Sequence, residues 1–260
     1  MPRVHLAAWP TPTDTLLDQF DVVVRTASLT TFAADLEETL DLLGPAERAR
    51  FAEYGNSVVA RRYACGRRLL RAVLAEPLGL APREIALREG LHGKPYLAPG
   101  QGPSLFFSVS HCEELFVVAV SRIAEVGVDV ERARGFEQWE RVAERVLDPD
   151  ERRHLERAVR AGEDPSTAFL RLWCRVESEL KAIGCGIAGL EAHRAGERPR
   201  GLRVADLRDL PLPKDVAASG ARYQAAVALC SPGADQRRQS AVAPASQAIP
   251  VARPATASTA

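Results

Sequence analysis

The chain has 260 residues, 46% of them hydrophobic, with 34 basic and 34 acidic side chains. It is long enough to bury a full core in one large domain or two small ones, and its zero net charge excludes general nucleic-acid affinity, which rests on phosphate neutralisation by excess Lys and Arg. No run of about 18 apolar residues is present and the opening MPRVHLAAWPTPTD lacks a signal-peptide core, so the expectation is a cytoplasmic protein without a membrane span.

In chain order, FDVVVRTA (20–27) reads as a strand and FAADLEETLDLL (32–43) as an amphipathic helix stopped by Gly44. PAERARFAEY begins a second helix on Pro45, and residues 57–79 carry apolar positions near 3.6 spacing up to a Pro/Gly stop. EIALREG, PYLAP, LFFSVSH, LFVVAVS and VGVDVE are short β-rich runs separated by Gly, Pro and Ser. They are so apolar around residues 114–131 that both of the last two strands look central. Helices follow near 136–147, 149–161 and 166–184, then strands in GLRVADLRDL and ARYQAAVALC. GPAERARF resembles DPDERRHL, and LFVVAVS resembles YQAAVALC, which suggests two similar α+β halves, each a sheet with a long helix against it. Residues 233–260, rich in Ala, Ser and Pro, are expected to form a disordered tail.

Five scattered cysteines without a C-x-x-C pair indicate neither a disulfide framework nor a zinc site. No G-x-S-x-G, Walker or Rossmann glycine pattern occurs. The chemistry must come from elsewhere. In VGVDVE, strand alternation puts Asp129 and Glu131 on one face with Val128 and Val130 behind them. Such a pair is either a solvated strand end or the protein share of a Mg²⁺ site completed by substrate phosphates. On the later helix, Phe169, Leu172, Val176, Leu180 and Ile183 form an apolar stripe, with Glu177 and Lys181 at i, i+4 on its border. Alone they make a common surface pair; beside a cation site, Glu177 would supply a third carboxylate and Lys181 would reach a phosphate. Arginines 48, 50, 61, 62, 67, 68 and 71 form a local basic excess upstream, part of it a solvated helix face. Lys94 sits in a Gly-Lys-Pro turn, and Ser110 and His111 end a strand.

Taken together and in this order, GKPYL, FSVSH, VGVDVE and WCRVESELKAIG resemble the Sfp-type 4′-phosphopantetheinyl transferases. The resemblance implies two α+β halves with pseudo-twofold symmetry, residues 1–123 and 124–232, with coenzyme A (CoA) in the cleft between them. It implies Mg²⁺ on Asp129, Glu131 and Glu177, with Glu177 and Lys181 catalytic and Lys181 also at the CoA pyrophosphate. Arg48, Arg50, Arg62, Lys94, Ser110 and His111 match CoA-binding positions. The implied reaction moves the 4′-phosphopantetheine arm of CoA to a serine of an acyl or peptidyl carrier protein, the transferase being a monomer. A non-catalytic CoA-binding module and a Mg²⁺-dependent CoA phosphohydrolase are the alternatives. One departure stands out: where the family usually has Lys before the helical Glu, this chain has Val176.

Overall fold

The computed structural model describes residues 22–30, 36–102 and 104–231. The expected tail, and the first residues of the expected strand at 20 and helix at 32, lie outside the described residues. The elements run β1 (Val22–Ser28), α1 (Leu36–Asp41), α2 (Pro45–Glu53), α3 (Val58–Leu78), β2 (Leu87–Glu89), β3 (Pro95–Leu97), β4 (Phe106–Cys112) and β5 (Leu115–Ser121). Then come β6 (Glu125–Arg132), α4 (Trp139–Val146), α5 (Pro149–Arg160), α6 (Pro165–Ile183), α7 (Leu190–Arg194), β7 (Leu202–Asp206), α8 (Lys214–Ala218) and β8 (Tyr223–Cys230).

Local chemistry sets the helix ends. Prolines 45, 149 and 165 occupy first-turn positions, where the missing N–H costs nothing. Asp148 and Glu151 cap each other's backbone: Glu151 N–H donates to Asp148 Oδ1 at 2.8 Å and Asp148 N–H to Glu151 Oε2 at 2.9 Å. At the equivalent place in the first half, Gly44 N–H donates to Glu47 Oε2 at 2.9 Å. Gly79 and Gly184 close α3 and α6 with φ of 65° and 81°, the left-handed conformation that glycine adopts without a Cβ penalty. The strand expected in EIALREG is cut to Leu87–Glu89, because Pro82–Glu84 turn as a 3-10 helix.

Two three-stranded antiparallel sheets form, β1-β5-β4 and β6-β8-β7, each with its late-arriving strand in the middle. The strand order of the first recurs in the second. On its outer face the first sheet packs Phe107, Phe116 and Val118 against Leu69, Leu70, Val73 and Leu74 of α3. Between the sheets lies a shared core of Val24, Val117 and Ala119 from the first and Val126, Val128, Val227 and Leu229 from the second. The layers therefore run α3, sheet, sheet, α6, with α4 and α5 outside. Among the described residues, no helix is long and apolar enough to cross a membrane.

One expectation needs correction. β5 is central, but β6 is an edge strand of its sheet. Its open edge is covered by side chains of the first half: Val128 N–H donates to Ser108 Oγ at 3.1 Å, Arg132 N–H to Cys112 Sγ at 3.3 Å, and Lys94 Nζ to the Val126 carbonyl at 3.1 Å. These bonds satisfy backbone groups that a missing neighbour strand would leave orphaned. The apolar stripe of α6 faces away from the sheet. Phe169, Leu172, Val176 and Leu180 pack with Val146, Leu147 and Leu155 of the α4–α5 region. A second buried face, made of Cys174, Ser178 and Ala182, lies on the strands instead.

Candidate active site

Small residues bring α6 unusually close to β6. A Cβ on Gly127 would stand 1.9 Å from the Ser178 carbonyl oxygen and 2.4 Å from the Ala182 nitrogen, so only glycine permits this approach. Glu177 and Lys181, each next in sequence to a contact residue, are thereby held over the acidic face of β6.

There the side chains converge. Lys181 Nζ lies 2.6 Å from Asp129 Oδ1, 3.2 Å from Ser110 Oγ and 3.7 Å from Glu177 Oε2. Ser110 Oγ donates to the same Asp129 oxygen at 2.8 Å. Two residues along, the Cys112 thiol donates to Glu131 Oε2 at 3.6 Å. Asp129 is buried, at 4% exposure, yet its Oδ2 has no hydrogen-bond partner. Leaving a buried carboxylate oxygen unmatched costs on the order of 1–3 kcal/mol or more unless something else meets it.

The electrostatics follow from this crowding. Burial, then the charges of Asp129 and Glu177, raise the Glu131 pKa. Burial alone would pull the Lys181 ammonium down, but Asp129 and Glu177 hold it above the ordinary lysine value. Burial pushes the Cys112 thiol up to about 11, with Glu131 adding to the effect, so it stays protonated at neutral pH. Three carboxylates that repel one another, one with an orphaned oxygen, form a hard-oxygen donor set suited to a divalent cation such as Mg²⁺.

A family model described as the 4'-phosphopantetheinyl transferase superfamily matches residues 125–228, and one described as 4'-phosphopantetheinyl transferase, N-terminal, matches residues 30–123. The chain belongs to the 4'-phosphopantetheinyl transferase superfamily. Among relatives, the 4'-phosphopantetheinyl transferase HetI of Nostoc sp. is 35% identical over 60% of this chain and 65% of its own. The 4'-phosphopantetheinyl transferase gsp of Aneurinibacillus migulanus is 31% identical over 53% and 54%. The human L-aminoadipate-semialdehyde dehydrogenase-phosphopantetheinyl transferase is 29% identical over 58% and 50%. The chain thus spans between half and two thirds of the length of these curated relatives.

Within this superfamily member, the remaining expected residues are scattered and mostly paired. Arg62 reaches Glu114 in the β4–β5 turn, while its Nε is buried without a partner. Arg50 pairs with Glu89 at 2.9 Å, and Arg48 Nε donates to the Leu43 carbonyl at 2.9 Å. Lys94 pairs with Glu125 at 2.8 Å, at the start of β6. His111 is exposed on the face of β4 opposite to Ser110. The basic excess of α3 is largely structural: Arg71 is buried against Glu47 at 2.6 Å, and Arg68 against Glu38 at 3.1 Å.

Three features went unrecognised in the sequence. Gly127 carried a signal, since a glycine inside a strand marks close backbone approach. The alternation Ser108, Ser110, Cys112 was also visible, though its partner strand was not. The third carried no short-range signal. Asp148, Glu151, Glu179, His193 and Arg198 form a buried ion network, with Arg198 at 2.8 Å from Asp148, 2.9 Å from Glu151 and 3.0 Å from Glu179. Asp148, Glu151 and His193 also lie close enough together to hold a metal, whereas Asp129, Glu131 and Glu177 are not drawn in so tightly. Arg198 and His193 already supply the positive charge in the first group. In the second, the Lys181 ammonium stands between Asp129 and Glu177.

Proposed function

We propose that this chain transfers the 4′-phosphopantetheine arm of CoA to a serine of an acyl or peptidyl carrier protein, in a Mg²⁺-dependent reaction that releases 3′,5′-ADP. The observation that carries this reading is the buried Asp129 carboxylate: one oxygen is shared by Lys181 and Ser110, the other has no hydrogen-bond partner, and Glu131 and Glu177 act electrostatically on the same cluster. Mg²⁺ would be held by Asp129, Glu131 and Glu177, and would supply charge neutralisation for the CoA diphosphate.

The chain's own groups do the rest. Lys181 keeps its proton and presents an ammonium to the pyrophosphate oxygens. Glu177, only partly buried, accepts the proton of the carrier serine, a role worth about 10²–10⁴-fold. The serine Oγ bonds to the β-phosphorus as the bond from that phosphorus to the bridging oxygen breaks, and 3′,5′-ADP leaves with the electron pair. Arg48, Arg50, Arg62 and Lys94, with Ser110 and His111, form the CoA-binding set. The four cations keep carboxylate or carbonyl partners that a phosphate would exchange. In this reading residues 1–123 and 124–232 are the two halves, the protein is a cytoplasmic monomer, and the nucleophile comes from its partner.

The test is intact mass of apo carrier proteins from fatty-acid, polyketide and peptide synthesis, incubated with the chain, CoA and Mg²⁺. Gain of one phosphopantetheine on at least one carrier is expected. No gain on any of them sinks the proposal; CoA breakdown without a carrier then indicates a phosphohydrolase, and CoA binding without turnover a binding module.

A further inference from the structure

The strand β4 belongs to the first half, yet one of its faces is spent on the second. Along it, Phe107 and Val109 turn into the core under α3, while Ser108, Ser110 and Cys112 turn toward β6. Each of these three meets β6 at successive steps of the same alternation. Ser108 takes a backbone N–H, Ser110 gives a hydrogen bond to the Asp129 carboxylate, and Cys112 does both: its sulfur accepts from Arg132 N–H and its S–H donates to Glu131.

We propose that Cys112 is a positioning residue for Glu131. Among the described residues, Cys112 is the hydrogen-bond partner that Glu131 has. The Glu131 side chain has rotatable bonds that would otherwise swing it from its mutually repelling neighbours toward water. The bond from Arg132 N–H fixes where the sulfur sits, so the thiol's donation has a defined direction. Glu131 is thereby held on the Asp129 side, where the two acids can grip one cation together. Partners of this kind, which orient a ligating side chain without touching the metal, commonly govern metal affinity. This inference rests on the metal role proposed for Asp129, Glu131 and Glu177.

The test uses the full chain with Mn²⁺ as the probe, followed by its electron paramagnetic resonance signal, together with the Mg²⁺ concentration giving half-maximal transfer. Cys112→Ala is expected to weaken Mn²⁺ binding about tenfold, the lower end for such partners, and to raise the Mg²⁺ requirement in step. Cys112→Ser, which keeps a donor, should bind Mn²⁺ within about threefold of the parent, as expected for one conserved hydrogen bond. Thermal melts exclude unfolding, and the serine variant keeps the test open if the alanine variant is unstable. Unchanged Mn²⁺ binding in Cys112→Ala overturns the inference, as does equal loss in both variants, which would indicate shape rather than the hydrogen bond. Asp129→Ala run alongside separates the two levels: normal Mn²⁺ binding there removes the metal site itself, while loss there with no effect at Cys112 removes only the positioning role.

Discussion

Gly127 and Ser178 touch backbone to backbone, with no room for even a methyl group between strand and helix. Gly127→Ala would have to lift α6 off β6, carrying Glu177 and Lys181 away from Asp129. Overpacking of this kind costs about 1–3 kcal/mol or more, so the melting temperature should fall by roughly 5–10 °C and catalysis should largely disappear. A variant that melts and reacts like the parent would show that the close approach is dispensable.

Asp129→Ala and Glu177→Ala should each reduce carrier modification by about 10²-fold or more while leaving a cooperative melt, and chelating divalent cations should mimic them. Removing Asp129 also strips Lys181 of its closest partner, at 2.6 Å. Near-normal transfer by both variants would refute the assignment.

His193 is 3% exposed, with Nε2 at 3.0 Å from Glu151 and Nδ1 at 3.4 Å from Glu179. Burial and Arg198 oppose its charge, but hydrogen bonds to Glu151 and Glu179 prevail and raise its pKa from 6.5 to about 9. The folded-state value lies above the unfolded one, so the imidazolium stabilises the fold fully below pH 6.5, and this contribution is lost as pH rises through 9. It amounts to about 3 kcal/mol. Urea unfolding at pH 6 and pH 9.5 should differ by that order in the parent and by much less in His193→Gln. An equal pH dependence in the two proteins would assign the effect to other groups.

Val176 is wholly buried among Leu172, Leu155 and Val146, so this helix position cannot present the lysine that the family usually carries. Val176→Lys should destabilise the fold by about 3 kcal/mol or more through burial of an unpaired ammonium. A differential scan with an unchanged midpoint would mean that α4 and α5 yield easily.

Much of this architecture was legible because short-range chemistry specifies it. Pro45 announced a helix start, Gly44 and the Pro/Gly pair ending at Gly79 announced stops, and alternation in VGVDVE placed Asp129 and Glu131 on one face. What stayed hidden depends on segments distant in the chain. The covering of the β6 edge needs Ser108 to meet Val128, and the Arg198 network needs residues 148, 151, 179 and 193 in one place. The α6 face of Cys174, Ser178 and Ala182 was overlooked because periodicity weights large side chains, while close helix–strand contact selects small ones.

The hydrophobic layer between the two sheets draws side chains about equally from both ends of the chain. Neither set of strands has a protected inner surface without the other, so separately produced fragments should aggregate or, when mixed, reassemble. A hinge that swings the halves apart would flood that layer with water. The two halves are therefore expected to move as one body, with the ion pairs along their seam rearranging more readily than the layer beneath them.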